Sequence, residues 1–150
     1  MQQKQTTNSN EIPAGRIVAL DPGTKRVGVA VSDVGRIIAT PLPHIERTSW
    51  KSLLSSVQSI LSEFDAVGLV IGLPLETDGS ESKMSAEARD MARKFELSLD
   101  IPVFLQDERV TSYEAKARMW GQGLSLEDSR KNVDSEAAAI ILTDFISTIS

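Results

Sequence analysis

The sequence predicts an α/β fold: a mixed five-stranded sheet, in which an antiparallel three-strand meander is extended by two parallel strands, with helices packed on it. Three observations predict it. The runs Ile17-Val18-Ala19-Leu20 and Val67-Gly68-Leu69-Val70-Ile71-Gly72 carry no polar residue, the signature of strands buried on both faces. The turns that follow the first run are too short for a crossover, which makes its neighbours antiparallel. Further along, strand-like runs alternate with stripes of helical period, which implies parallel strands joined by right-handed crossovers.

Taken in order, residues 1–14 are mostly Gln, Thr, Asn and Ser and read as a disordered tail, leaving 15–150 as one domain. The first strand, 17–20, stops at Asp21-Pro22-Gly23. A second runs from Val27 to Val31, and a third, Ile37-Ile38-Ala39-Thr40, is expected to end at Pro41 and Pro43. Trp50, Leu53, Leu54, Val57, Leu61 and Phe64 then follow the i, i+3, i+4, i+7 stripe of an amphipathic helix, with Ser49 or Thr48 available as N-cap. The fourth strand, 67–72, gives way to Leu73-Pro74 and a polar loop, Glu76 to Ser80. Met84, Ala88, Met91, Ala92, Phe95 and Leu99 form a second helical stripe, and Val103-Phe104-Leu105 a fifth strand that runs into Gln106-Asp107-Glu108-Arg109. A short helix is expected from about Ser112 to Trp120, then a loop to about Val133 and a last helix from Asp134 through Ile146.

Composition narrows the chemistry. The 150 residues include 21 Asp plus Glu against 16 Lys plus Arg, a formal charge of −5, which excludes holding nucleic acid by bulk positive charge. Hydrophobic residues at 41% and charged residues at 25% suffice for a core and argue against a disordered or fibrous chain. Zero Cys removes disulfides, thiolate metal sites and Cys nucleophiles, in keeping with a reducing compartment. No apolar run approaches the roughly 18 residues of a membrane span, and the polar N-terminus has no signal-peptide core. A soluble, cytoplasmic protein without a membrane partner is expected.

Three acidic positions stand at element ends. Asp21 leaves the first buried strand; taken alone, Asp-Pro-Gly is an Asx-type turn. Gly23 and Gly28 bracket Thr24-Lys25-Arg26, however, so a phosphate could approach backbone beside that carboxylate, although the hairpin fits neither the P-loop nor the dinucleotide pattern. Asp107 and Glu108 follow the fifth strand; because strand side chains alternate, only one of them shares a face with Asp21, and a solvated strand end paired with Arg109 is the plainer interpretation. Asp134 suits a helix N-cap, yet inside the helix it shares a stripe with Ala138, Ile141 and Phe145, where an ionised carboxylate is costly without a cation or donors. With Lys25, Arg26, Arg109, Arg130 and Lys131 close in sequence, the three ends suggest one convergent site with a local positive rim. All-oxygen donors select Mg²⁺ or Mn²⁺, and one histidine with no cysteine leaves no ordinary zinc site. That histidine, His44, has no nucleophile-elbow motif nearby and is expected in a surface loop.

Four blocks carry a resemblance: LDPGTKRVGVAVSD at 20–33, VIGLPLETDGS at 70–80, DERVTSYEA at 107–115 and KNVDSEAAAIIL at 131–142. In order and spacing they resemble the YqgF family, also called RuvX, of the RNase H-like superfamily. Its members are bacterial cytoplasmic proteins described as Holliday junction resolvases or as nucleases maturing the 5′ end of pre-16S rRNA. The resemblance implies an RNase H-like fold, phosphodiester hydrolysis assisted by a pair of Mg²⁺ or Mn²⁺ ions, and catalytic, metal-binding carboxylates at Asp21, Glu108 or Asp107, and Asp134. Glu108 is favoured over Asp107 by strand parity. Lys25, Arg26, Arg109 and Thr111 are the implied contacts to the substrate phosphates. One departure stands out: many RNase H-like nucleases carry an acid at the end of the fourth strand, where this chain has Gly72-Leu73-Pro74. The implied partner is structured pre-rRNA or branched DNA, with the protein a monomer or weak homodimer and ribosome-assembly factors as further candidates.

Two other readings compete. YqgF-like domains also occur as non-catalytic nucleic-acid-binding modules with decayed carboxylates, whereas here three acidic positions are retained. The actin, Hsp70 and sugar-kinase superfamily uses a related Asp-x-Gly-Thr phosphate hairpin, which Asp21 to Thr24 fits, but closes two such domains around ATP where this chain supplies one.

Overall fold

The computed structural model describes residues 12–108 and 133–149. Its elements are β1 (Ile17–Pro22), β2 (Arg26–Ser32), β3 (Ala39–Glu46), α1 (Trp50–Glu63), β4 (Gly68–Leu73), α2 (Lys83–Ser98), β5 (Val103–Asp107) and α3 (Val133–Ile149). The five strands form one sheet in the order β3-β2-β1-β4-β5. β1 pairs antiparallel with β2 and β2 with β3, while β4 runs parallel to both β1 and β5. The mixed sheet expected from the sequence is the one observed. The helix expected over 112–120 and the loop that follows lie outside the described residues, as do residues 1–11. Among the described residues, no helix is long and apolar enough to cross a membrane.

Alternation sorts each strand between two cores. Val18, Leu20, Val27, Val29, Leu69, Ile71 and Val103 pack with Leu53, Val57 and Leu61 of α1 and Ala88, Met91 and Phe95 of α2. Ile17, Ala19, Ala30, Ala39, Val70 and Phe104 face the other way and pack with Ala138, Ala139, Ile141, Leu142 and Phe145 of α3. Helix starts are locally specified. Ser49 Oγ accepts from the Ser52 N–H (3.1 Å) at α1. At α2, Ser82 and Ser85 exchange side-chain and backbone hydrogen bonds in a reciprocal capping box.

Two expectations are corrected. The third strand is not stopped by proline: β3 starts at Ala39 and runs through Pro41 and Pro43 to Glu46, while Ile37 and Ile38 stand exposed in the preceding turn. Proline is tolerated because, among the described residues, β3 is an edge strand paired only to β2, so the missing N–H need not serve the ladder. His44 consequently lies within β3, half-buried, with Nε2 3.0 Å from Glu46 Oε1, and is not a loop residue. Packing also begins earlier than composition suggests: Ile12, inside the expected tail, is buried in the α3-side core, and the Arg36 guanidinium donates to the carbonyls of Pro13 and Gly15.

Candidate active site

β1, β4 and β5 are parallel, so their C-terminal ends share one edge of the sheet, and register decides what meets there. Leu20 pairs with Ile71, Ile71 with Leu105, Gly72 with Gln106 and Leu73 with Asp107. Asp21 has the parity of Ile17 and Ala19, Gly72 that of Val70, and Glu108 that of Phe104, all on the α3 face. Asp107 has the parity of Val103, on the opposite face.

Glu108 originates two strands away from Asp21, with β4 between them, and it crosses over Gly72. A Cβ added at Gly72 would lie 2.8 Å from Glu108 Oε2 and 2.6 Å from Ile141 Cδ1, closer than such atoms approach. The absent side chain is therefore the space in which the Glu108 carboxylate lies. The Glu108 N–H donates to the Leu73 carbonyl (3.1 Å), which fixes the backbone from which that side chain departs. The Glu108 and Asp21 carboxyl groups are hydrogen-bonded to each other, which requires a shared proton when no cation is present. Burial first, then the Asp21 charge and that hydrogen bond, and last the Asp107 charge push the Glu108 carboxyl up to about 8. The fourth-strand acid that the sequence lacks is thus matched by an acid from β5 lying over the vacant position.

The other candidates fall into three groups. Lys25 and Arg26 belong to the β1–β2 hairpin, whose turn is closed by Gly23 N–H donating to the Arg26 carbonyl (3.0 Å). A Cβ at Gly23 would meet that carbonyl oxygen at 2.6 Å, so only glycine permits the turn. Arg26 Nε lies 3.7 Å from Glu46 and is drawn toward β3, while Lys25 is exposed at the tip. Asp134 occupies the second residue of α3. Its neighbour Ser135 is buried and accepts from the Val29 N–H (3.0 Å), where the β2–β3 register shifts, so the first turn of α3 is pinned beside the Asp21–Gly28 pair. The Asp134 side chain lies outside the described residues, as do Arg109, Thr111, Arg130 and Lys131. Sequence reasoning missed Asp144, which with Glu108, Asp107, Ala137 and Ile141 lines a small cavity of about 60 Å³ between the end of β5 and α3. Its i+7 and i+3 spacing from Ala137 and Ile141 was the available signal.

Two apposed carboxylates with no other donor type between them fit a hard divalent cation, whose charge would replace the shared proton and remove the repulsion. Asp21 and Glu108 would hold it. Among the described residues no three acidic or histidine side chains are grouped closely enough for a metal.

The strand order, two helices on one face and a third on the other, and acidic residues where β1 and β5 end define an RNase H-like α/β protein. Residues 15–148 match the family described as RuvX, Holliday junction resolvase, and the chain belongs to that family. A protein of Maridesulfovibrio salexigens is 37% identical over 131 residues, 87% of this chain and 97% of the relative. One of Novosphingobium aromaticivorans is 40% identical over 136 residues, 91% of this chain and 87% of the relative. Both bear the name "Putative pre-16S rRNA nuclease". Among solved structures, Thermus thermophilus RuvC in complex with a Holliday junction substrate superposes with a TM-score of 0.59 at 12% identity, covering 89% of this chain and 95% of that one. The fowlpox virus Holliday junction resolvase does so with 0.53 at 16%, covering 89% and 99%. At those identities the likeness is one of fold.

Proposed function

We propose that this protein is a divalent-metal-dependent endonuclease that hydrolyses a phosphodiester bond in the 5′ region of pre-16S rRNA. The observation that carries the reading is the apposition of Asp21 and Glu108 across Gly72, on the face covered by α3. The names of relatives sharing over a third of their residues with this chain supply the RNA.

In this reading Asp21 and Glu108 hold Mg²⁺ or Mn²⁺, with Asp134 of α3 as the third ligand and Asp107 adding negative charge nearby. When bound, the metal supplies an activated water and stabilises charge on the leaving oxygen. The protein's own part is positioning. β1 and β5 hold the two carboxylates on rigid strand ends, and Gly72 leaves them room to meet. Lys25 at the hairpin tip, with Arg26, Arg109 and Thr111, contacts the phosphates flanking the scissile bond. Half-burial of Asp21 and Glu108 on the α3 face weakens the screening of the two carboxylates by water.

The description of the family as Holliday junction resolvases favours a second substrate, branched DNA. Purified protein is to be given a pre-16S rRNA leader and a four-way DNA junction side by side, each with Mg²⁺, Mn²⁺ or EDTA and with an Asp21→Asn control. Metal-dependent cleavage of the leader that Asp21→Asn loses is the expected result. Cleavage of the junction alone reassigns the substrate. Cleavage by Asp21→Asn at the wild-type rate removes the site.

A further inference from the structure

A second concavity lies across the sheet from the carboxylates. Between the β1–β2 turn, the Arg47–Ser49 connection, the start of α1 and the side of α2 is a cavity of about 430 Å³. Its floor is apolar, formed by buried Leu53 and Met91 and half-buried Trp50. Its rim carries donors on Thr24, Arg47 and Lys94 and the carboxylates of Glu87 and Asp90, with Lys94 Nζ 3.3 Å from Asp90 Oδ2.

The walls are fixed in place. The Arg47 guanidinium donates to the Gly23 carbonyl (2.8 Å) and the Arg47 N–H to the Lys25 carbonyl (2.9 Å), so the connection that precedes α1 is tied to the hairpin tip. Trp50 packs edge-on against Phe95 with ring centroids 4.7 Å apart, and Lys94 Nζ stands 5.6 Å from the Trp50 centroid. An aromatic ring held in a hollow rimmed by both donors and carboxylates matches the chemistry of a nucleotide: a flat π-system to pack, base edges to hydrogen-bond to either kind of group, and a phosphate for Thr24, Arg47 and the outer side of Lys94.

We propose that this cavity takes one unpaired nucleotide of the substrate strand, its base on the Trp50–Met91 floor and its phosphate at the Thr24, Arg47 and Lys94 rim. Thr24 is three residues from Asp21, at most about 10 Å of chain, so a strand crossing the catalytic edge reaches the cavity over the hairpin tip. The hollow has room for one nucleotide and none for a duplex, which selects an unpaired base. It also answers the charge problem: on a chain of net charge −5, phosphate contacts alone hold nucleic acid poorly, and base packing adds an attachment that salt does not screen. The nature of the ligand rests on the nuclease reading; the cavity does not.

The test is binding of a labelled single-stranded pentaribonucleotide and of the same sequence as a duplex, by fluorescence anisotropy with full-length protein in EDTA. Thr48→Trp fills the cavity from its exposed rim, and Lys94→Glu reverses a rim charge. Each should weaken single-strand binding about tenfold with the melting temperature held, while Leu97→Ser, on the exposed side of α2, binds as the wild type does. The proposal is overturned if the wild type binds no single strand, prefers the duplex, or is matched in affinity by both cavity variants. The two readings fail separately: wild-type cleavage by Asp21→Asn removes the catalytic site and leaves the binding result standing, whereas normal binding by both variants with Asp21→Asn inactive removes the nucleotide pocket alone.

Discussion

Where β1, β4 and β5 end, the two faces of one sheet are built from different residues. Toward α1 and α2 the strands present Val18, Leu20, Val27, Val29, Leu69 and Ile71, and the helices answer with Leu53, Val57, Met91 and Phe95. Toward α3 they present Ile17, Ala19, Ala30, Val70 and Phe104, and α3 answers with Ala138, Leu142 and Phe145, but at the edge this face carries Asp21, Gly72 and Glu108. Burying a large aliphatic or aromatic side chain is worth about 1.5–3 kcal/mol, a contribution both faces make away from the edge, while at the edge the first face continues it through Leu20, Ile71 and Leu73. Gly72 on the second leaves the volume in which the Glu108 carboxylate lies. Stability and chemistry are thus divided between the faces of the same strands.

That division can be broken from either side. Phe95→Ala empties the α1/α2 core at a fully buried ring that Trp50 packs against, and should cost about 3–5 kcal/mol in chemical denaturation, with cleavage per folded molecule at saturating substrate nearly unchanged. Asp21→Asn acts on the other face: cleavage should fall more than about a hundredfold, beyond what loss of a group that only supports a ligand costs, and the melting temperature of the metal-free protein should stay within a few degrees, because the Asn oxygen still accepts from protonated Glu108. Gly72→Ala sharpens the comparison further. The atoms its Cβ would meet are the ends of flexible side chains, Ile141 Cδ1 and Glu108 Oε2, so the fold can yield while the carboxylate is displaced. We expect about a tenfold loss of cleavage in a protein whose melting temperature stays within a few degrees of wild type. If stability collapses with activity, Gly72 serves packing and not Glu108.

The smallest effect is in pH. Glu108 is raised from 4.5 to about 8, so the metal-free folded state keeps a proton that the unfolded chain releases. Its contribution to stability is complete below pH 4.5 and is lost as pH rises through 8. Melting temperature in EDTA should decline across that window, and Glu108→Gln should flatten the decline. A cation binding in place of the proton should bind more tightly as pH rises; an affinity independent of pH between 5 and 8 contradicts a shared proton at the site.

Much of this was legible in the chain. Period-two alternation through Ile17, Ala19 and Asp21, and through Phe104, Gln106 and Glu108, assigns faces without coordinates, because strand side chains have no other choice. The helices at 50–63 and 83–98 were visible in their apolar stripes, the first also in its candidate cap at Ser49 or Thr48, whereas the Ser82 cap of the second emerged only from the structure. Other features were hidden for physical reasons. Proline breaks a strand only where its N–H is needed, and whether β3 lies at an edge is decided by pairing with residues far away in sequence. His44 followed the same error. The cavity beside Arg47 joins residues from 24 to 94, a span no local pattern covers.

By itself, then, the sequence determined the α/β order of elements, the acidic character of the strand ends and the restriction to oxygen donors, since these follow from local sterics, periodicity and composition. Tertiary structure alone decided that Glu108 lies over Gly72 against Asp21. That meeting depends on β4 being inserted between β1 and β5 in one register, and on a missing side chain whose significance is only the volume it leaves.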